Sequence, residues 1–204
     1  MHLFERVQNM AKTISYDRAA VVDKATKLYW EKGFHATSMR ELQNVIDMRP
    51  GSIYACFGSK EGLFKEALQH YAQMSLDQIA LCKQASSSLA AMKTFISTVV
   101  THSHQHAPSG MCMLAKTLAE LTDDNAELLS LTKDLLKQVE AAFAEVLVAA
   151  QQKQELDDTQ EPLRLARHVQ IQLMGLRTYS RANDGNIPVD ELVNDIFVSG
   201  PFQR

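Results

Sequence analysis

The chain has 204 residues, of which 46% are hydrophobic and 22% charged, with a formal net charge of −3. These fractions exclude wholesale disorder and fibrous repeats, and the length suffices for one or two domains with a proper core. Eight Gly and five Pro are too few for a sandwich or barrel that turns every ten residues, no run reaches the ~18 apolar residues of a membrane span, and three Cys make no disulfide framework.

Residues 1–15 carry Glu5, Arg6 and Lys12 without the apolar stretch of a signal peptide, so no targeting segment is expected. Between 16 and 34, Val22, Ala25, Leu28 and Tyr29 recur at helical spacing, and Gly33 suits a left-handed helix end. Ser38-Met-Arg-Glu41 reads as a capping box, with Thr37 and Ser38 competing as N-cap, and opens a second helix that turns Met39, Leu42, Val45 and Ile46 inward. After a tight break at 47–49, Pro50 begins a short third helix over 50–56. Gly58 and Ser59 turn the chain into a long fourth helix over 60–82.

Further helices are predicted over 89–104, 111–121, 123–154, 161–182 and 188–198, separated by breaks at 86–88, 107–110, 157–160 and 183–186. The helix over 123–154 carries Leu128, Leu131, Leu135, Val139, Phe143, Val146 and Ala150 on one face. No period-two run of β-branched residues supports a strand. The expected fold is all-α, about nine helices, with an N-terminal tail and three-helix head over 1–65 and a helical body over 66–204.

Charge divides along the same line. Residues 1–65 hold ten basic and seven acidic side chains, the remaining 139 hold 11 basic and 17 acidic, so a basic head joins an acidic body. Two short helices joined by a tight turn and braced by a longer one form a helix-turn-helix, whose second helix enters the major groove of DNA. Here Arg49, Pro50, Gly51, Ser52 and Tyr54 stand at its start. The planar fork of Arg49 matches the two acceptors of guanine, Gly51 admits close approach, and the Tyr54 hydroxyl has the reach of a phosphate. Thr37, Ser38 and Arg40 at the second helix and Lys60 at the fourth are further phosphate candidates. Caps and solvated charges are the alternative reading of the same residues.

The run from Ala25 to Leu42, followed by Pro-Gly-Ser-Ile-Tyr-Ala-Cys-Phe-Gly-Ser-Lys-Glu-Gly-Leu-Phe64, resembles the N-terminal domain of the tetracycline-repressor (TetR) family. The resemblance rests on Ala25, Tyr29, Gly33, Phe34, Thr37, Leu42, Gly51, Ser52, Ile53, Tyr54, Phe57, Lys60, Glu61 and Leu63 and covers roughly residues 16–65. It implies a dimeric transcriptional regulator, usually a repressor, that binds a palindromic operator and is released by a small effector; the odd count of Cys at 56, 82 and 112 separately suggests a reducing compartment, most simply the cytoplasm. By position it makes Thr37, Tyr54 and Lys60 phosphate anchors and turns Arg49, Pro50 and Ser52 to the groove. The chain departs from the family at the turn, where Ile46-Asp-Met-Arg49 replaces Ala-Gly-Val-Ser, and at Gln43, where a small Ala is common. Asp47 tolerates the left-handed turn.

In the body, the resemblance implies dimerisation through the helices near 161–182 and 188–198. Leu165, Ala166, Val169, Leu173, Met174, Leu176, Leu192, Val193, Ile196 and Phe197 offer an apolar stripe for it, or for monomer core. Candidate effector contacts are Tyr71, Met74, Met92, Phe95, Met111, Cys112, Met113, Phe143 and Met174, since Met is common around adaptable apolar pockets. The segment 110–121 resembles the sixth helix of a branch that includes electrophile sensors, which would make Cys112 a thiol trigger; an inert buried Cys is the alternative. His102 and His106 share a helical face and could pair on a metal, with His104 between them, yet no Cys or carboxylate completes a ligand set and no metal is expected. No Walker loop, nucleophile elbow, zincin helix or dinucleotide fingerprint occurs, so neither an enzyme nor a cofactor is expected.

Overall fold

The computed structural model describes the backbone of residues 16–105 and 110–203, and the side chains of all of these except 102–105. Among the described residues there are nine α-helices and no strand. They are α1 (Arg18–Lys32), α2 (Met39–Ile46), α3 (Pro50–Phe57), α4 (Lys60–Gln84), α5 (Ser88–Gln105), α6 (Met113–Glu120), α7 (Ala126–Gln152), α8 (Pro162–Ala182) and α9 (Val189–Ile196).

Local chemistry sets the helix ends of the head. Asp17 caps α1, its Oδ1 accepting from the Ala19 and Ala20 amides at 3.0 and 3.2 Å. Ser38 is the N-cap of α2: its Oγ accepts from the Glu41 amide at 3.2 Å while Glu41 Oε2 accepts from the Ser38 amide at 2.9 Å. Lys32, in the last turn of α1, adds an ion pair to the same carboxylate. Asp47 closes α2 at φ 53°, ψ 48°, the left-handed position foreseen for it. Gly33 has a positive φ of 94°, but its ψ of 176° lies outside the left-handed helical region. Val45 is 40% exposed rather than turned inward, because Leu42 and Ile46 already fill the narrow buried face of an eight-residue helix.

The Lys32 ammonium, the Ser38 amide and the Ser38 hydroxyl together lower the pKa of Glu41 to about 2. A carboxylate depressed in the folded state stabilises it above the unfolded value near ~4.3 and loses that contribution as pH falls through the folded value. Thermal midpoints of the wild type and Glu41→Gln should therefore differ most above pH 5 and converge as pH drops from about 4.5 towards 2. A pH-independent difference would show that Glu41 does not titrate as this cap requires.

Two apolar clusters organise the chain. The first joins the head (Tyr29, Phe34, Leu42, Ile53, Phe57, Leu63 and Phe64) to Met113, Leu114 and Leu121 of the α6 region and to Leu128 and Leu135 of α7. The second gathers Ile79, Met92, Ile96, Val100, Phe143, Val146, Leu165, Val169, Val193 and Ile196 from α4, α5, α7, α8 and α9. Helix α4 runs through both, so one rigid rod connects the head to the body.

Helices α8 and α9 divide their apolar residues differently from the predicted stripe. Leu165, Ala166, Val169, Val193, Ile196 and Phe197 are monomer core. The face that α8 leaves exposed carries Ile171, Gly175 and Tyr179, with Ile171 61% and Tyr179 53% exposed. Spacing of i, i+4 and i+8 aligns these three in one row.

Candidate functional site

The start of α3 is an exposed polar and basic end. Arg49, Pro50, Gly51, Ser52 and Tyr54 are all exposed, and Tyr54 shows half of its surface. Ile53 and Phe57 point the other way and lock α3 onto the head core. Arg49 occupies the N-cap position, where its guanidinium, a donor only, accepts nothing from the first turn of α3. A Cβ at Gly51 would meet nothing within 4 Å, so no contact inside the chain requires a glycine there. Arg40 is exposed on α2. Lys60 opens α4 with its ammonium 4.5 Å from the Phe34 ring centroid, a cation–π contact, and partial burial lowers its pKa.

Two of the predicted anchors are otherwise engaged. Thr37 is fully buried, and its hydroxyl donates to the Gly33 carbonyl at 2.6 Å, bracing the α1–α2 turn. In the free chain its side chain is thus engaged inside the head. Ser38 is exposed, but its hydroxyl is spent on the capping box, donating to Glu41 Oε2 at 2.8 Å.

A cavity of about 340 Å³ lies between α4, α5, α6, α7 and α8. Of the residues put forward from the sequence, Tyr71, Met74, Phe95, Cys112, Phe143 and Met174 line it. Met92 and Met113 do not: each is 1% exposed and packed into one of the two cores, where their volume fills space between helices. Met111 contributes its carbonyl oxygen instead of a lining side chain, accepting from Trp30 Nε1 at 2.6 Å and from Arg177 at 2.9 Å. The side chains of His102, His104 and His106 lie outside the described residues. Among the described residues, no group of three His, Cys, Asp or Glu is placed to hold a metal.

The cavity wall also contains Trp30, Gln170 and Arg177, which sequence reasoning missed. Arg177 donates to the Tyr71 hydroxyl at 3.1 Å and lies 5.8 Å from the centroid of the Trp30 ring. Trp30 meets Tyr71 edge to face, with centroids 5.0 Å apart. Desolvation drives the pKa of Tyr71 upward, which keeps its hydroxyl neutral. One signal was available: Arg177 continues the row Gln170, Leu173, Met174 at helical spacing, a lone cation on a largely apolar face.

The cavity borders the head directly. Trp30 belongs to α1, and α6 grips the end of that helix. Lys116 donates to the carbonyls of Trp30 and Glu31 at 3.3 and 2.7 Å, and Glu120 accepts from the Phe34 and His35 amides at 3.0 and 2.6 Å. A side chain at Gly33 would collide with the Glu120 carboxylate, so this glycine lets the two units meet.

Comparison with known proteins agrees with this architecture. Residues 21–67 match the family model of bacterial regulatory proteins, tetR family, and residues 88–196 match that of the tetracyclin repressor-like C-terminal domain. The HTH-type transcriptional repressor ComR of Escherichia coli is 25% identical over 173 residues, covering 81% of this chain and 80% of the relative. The E. coli repressor BdcR is 42% identical over 50 residues, 24% of this chain and 25% of BdcR. In fold, the chain is similar to a cysteine mutant of the TetR family regulator CifR complexed with 26-bp operator DNA (TM-score 0.75, 23% identity, 89% and 94% coverage). It is also similar in fold to reduced E. coli NemR (TM-score 0.76, 19% identity, 88% and 95% coverage). With both halves matched in order over more than half of its length, the chain belongs to the TetR family of transcriptional regulators.

Proposed function

We propose that the protein is a homodimeric repressor that binds a palindromic operator through α3 and is released when a small molecule fills the cavity. The observation that carries the DNA reading is the exposed start of α3, where the Arg49 guanidinium stands in solvent and Gly51 faces open space. A glycine in a helix costs stability relative to alanine, so its presence where nothing in the chain crowds it suits an external surface that must come close. Arg49 reads a base, while Tyr54, Arg40 and Lys60 hold the backbone on either side.

Dimerisation uses the exposed row Ile171, Gly175 and Tyr179 of α8, with Gly175 permitting close approach of the partner helix. Twofold symmetry lets two heads meet half-sites about 34–36 Å apart. The effector acts through the wall it shares with the head: Trp30 moves with α1, and Lys116 and Glu120 transmit displacement of α6 to the α1–α2 turn. Ligand binding thereby shifts the balance between DNA-competent and incompetent dimers.

A gel shift on the DNA flanking its own gene, run at several salt concentrations, tests the reading. Specific, salt-dependent retardation is expected. Gly51→Leu should fold as well as the wild type, since the added side chain meets open space, yet lose operator binding. Wild-type affinity in that variant, or binding without sequence preference, would remove α3 as the reading helix.

A further inference from the structure

The cavity is not electrically neutral. Among the described residues that line it there is no carboxylate, and Arg177 is the one permanently charged group. The Arg177 side chain is only 6% exposed. Its two terminal nitrogens are occupied by the Tyr71 hydroxyl and the Met111 carbonyl, both neutral. Its Nε is buried and has no hydrogen-bond partner among the described residues. Burial opposes this charge, and the Tyr71 hydroxyl, itself neutral, offsets it only as a hydrogen-bond acceptor. A guanidinium buried without an anion is costly, and such groups are normally paired.

A second unsatisfied atom lies on the same wall. Gln170 donates its amide nitrogen to the Leu136 carbonyl at 3.2 Å, which leaves its Oε1 buried with no donor. Positions 170 and 177 are two turns apart on one face of α8, about 10 Å along the axis. Leu173 and Met174 fill the face between them, and Phe95, Phe143 and Val139 add apolar lining from α5 and α7. The α8 face therefore presents a cationic donor at one end, a neutral acceptor at the other and Leu173 and Met174 in between, while Ser75, Gln78 and Thr98 add neutral polar groups from α4 and α5. At about 340 Å³ the space is at the lower end for small-molecule sites.

We infer that the cavity takes a small amphipathic carboxylate whose anionic group pairs with Arg177 and whose far end donates a hydrogen bond to Gln170. This rests on the cavity being the effector site and names the chemical class of that effector. The carboxylate supplies the counter-charge that the guanidinium lacks and accepts from the unpaired Nε. A neutral apolar ligand would fill the same space and leave Nε and Oε1 unpaired. A cationic ligand would meet Arg177 head-on.

Trp30 is the sole tryptophan of the chain and lines the cavity, so its fluorescence reports occupancy directly. The probes are 3-(4-hydroxyphenyl)propionate and its amide, equal in shape and different in charge. The acid should bind the wild type at least ~10-fold more tightly than the amide, the ratio of one charge-assisted hydrogen bond. In Arg177→Met the two should bind alike. In Gln170→Leu the preference for acid should persist, while the advantage of the hydroxyphenyl over the phenyl acid disappears. If Arg177→Met does not fold, as judged by its circular dichroism, the wild-type ratio and Gln170→Leu decide. Equal affinity of acid and amide for the wild type, or no binding of the acid, overturns the inference. Gel shifts on the same ligand-free protein keep the two readings apart: intact DNA binding beside an absent acid preference sinks the carboxylate assignment alone, whereas lost DNA binding beside a retained preference sinks the repressor.

Discussion

Replacing Arg49 by alanine is expected to weaken operator binding by roughly 2–6 kcal/mol for the dimer while leaving the thermal midpoint unchanged. A bidentate Arg–guanine contact is worth about 1–3 kcal/mol, and a twofold-symmetric dimer loses it at both half-sites. Arg49 is exposed and makes no cap hydrogen bond, so the free protein has nothing to lose on truncation beyond the ~0.5 kcal/mol typical of a surface site. Binding curves on the operator and on scrambled DNA of equal length, each across a salt series, separate base reading from phosphate anchoring. A base reader loses affinity for the operator and keeps it for the scrambled duplex. A phosphate anchor loses both in equal measure and lowers the salt slope by about one per contact. Retained operator affinity in Arg49→Ala would move the reading contact elsewhere on α3, with Ser52 next in line. The low net charge of −3 fits a binder that depends on such placed contacts more than on a broad basic field.

Much of this head was legible because its signals are local. Caps, the left-handed Asp47 and Pro50 at the start of α3 depend on backbone geometry within a few residues, and the same few residues carry the family resemblance. What failed was choice among neighbours of similar chemistry. Thr37 and Ser38 are adjacent hydroxyls, and only the three-dimensional turn sends one inward to the Gly33 carbonyl and leaves the other to cap α2. Val45 reads as core by spacing alone, because spacing does not say how wide the covered face is. In the body the relevant contacts are long-range. Met92, Met113 and Met74 are the same residue type on helical faces, yet packing buries the first two and leaves Met74 on the cavity wall. Arg177 is partnered by residues 66 and 106 positions away, and Trp30 by one 81 positions away. No local pattern encodes those pairings.

Phe64→Ala should cost the fold about 3–5 kcal/mol, the range for truncating a buried aromatic side chain. Phe64 is 1% exposed, edge to face with Tyr29 at 4.7 Å between centroids and tilted against Phe34 at 5.0 Å. Phe34 is in turn the ring beneath the Lys60 ammonium, so the cavity left by Phe64 would loosen a proposed phosphate anchor as well as the core. Against a total stability of about 5–15 kcal/mol for an ordinary domain, the loss is large. For a chain of this size it corresponds to a midpoint lower by roughly 6–20 °C, measured at equal protein concentration because the proposed dimer would melt with concentration dependence. The shape of the transition is the sharper test. The cluster around Phe64 continues without interruption into Leu114 of α6 and Leu128 and Leu135 of α7, and α4 itself runs on into the second core. Damage at Phe64 is thus felt in the body, and the variant should melt in one transition, with circular dichroism and Trp30 fluorescence coincident. Two separated transitions, with an early loss of the head alone, would show that the head is an independent folding unit and that α4 does not couple it to the cavity.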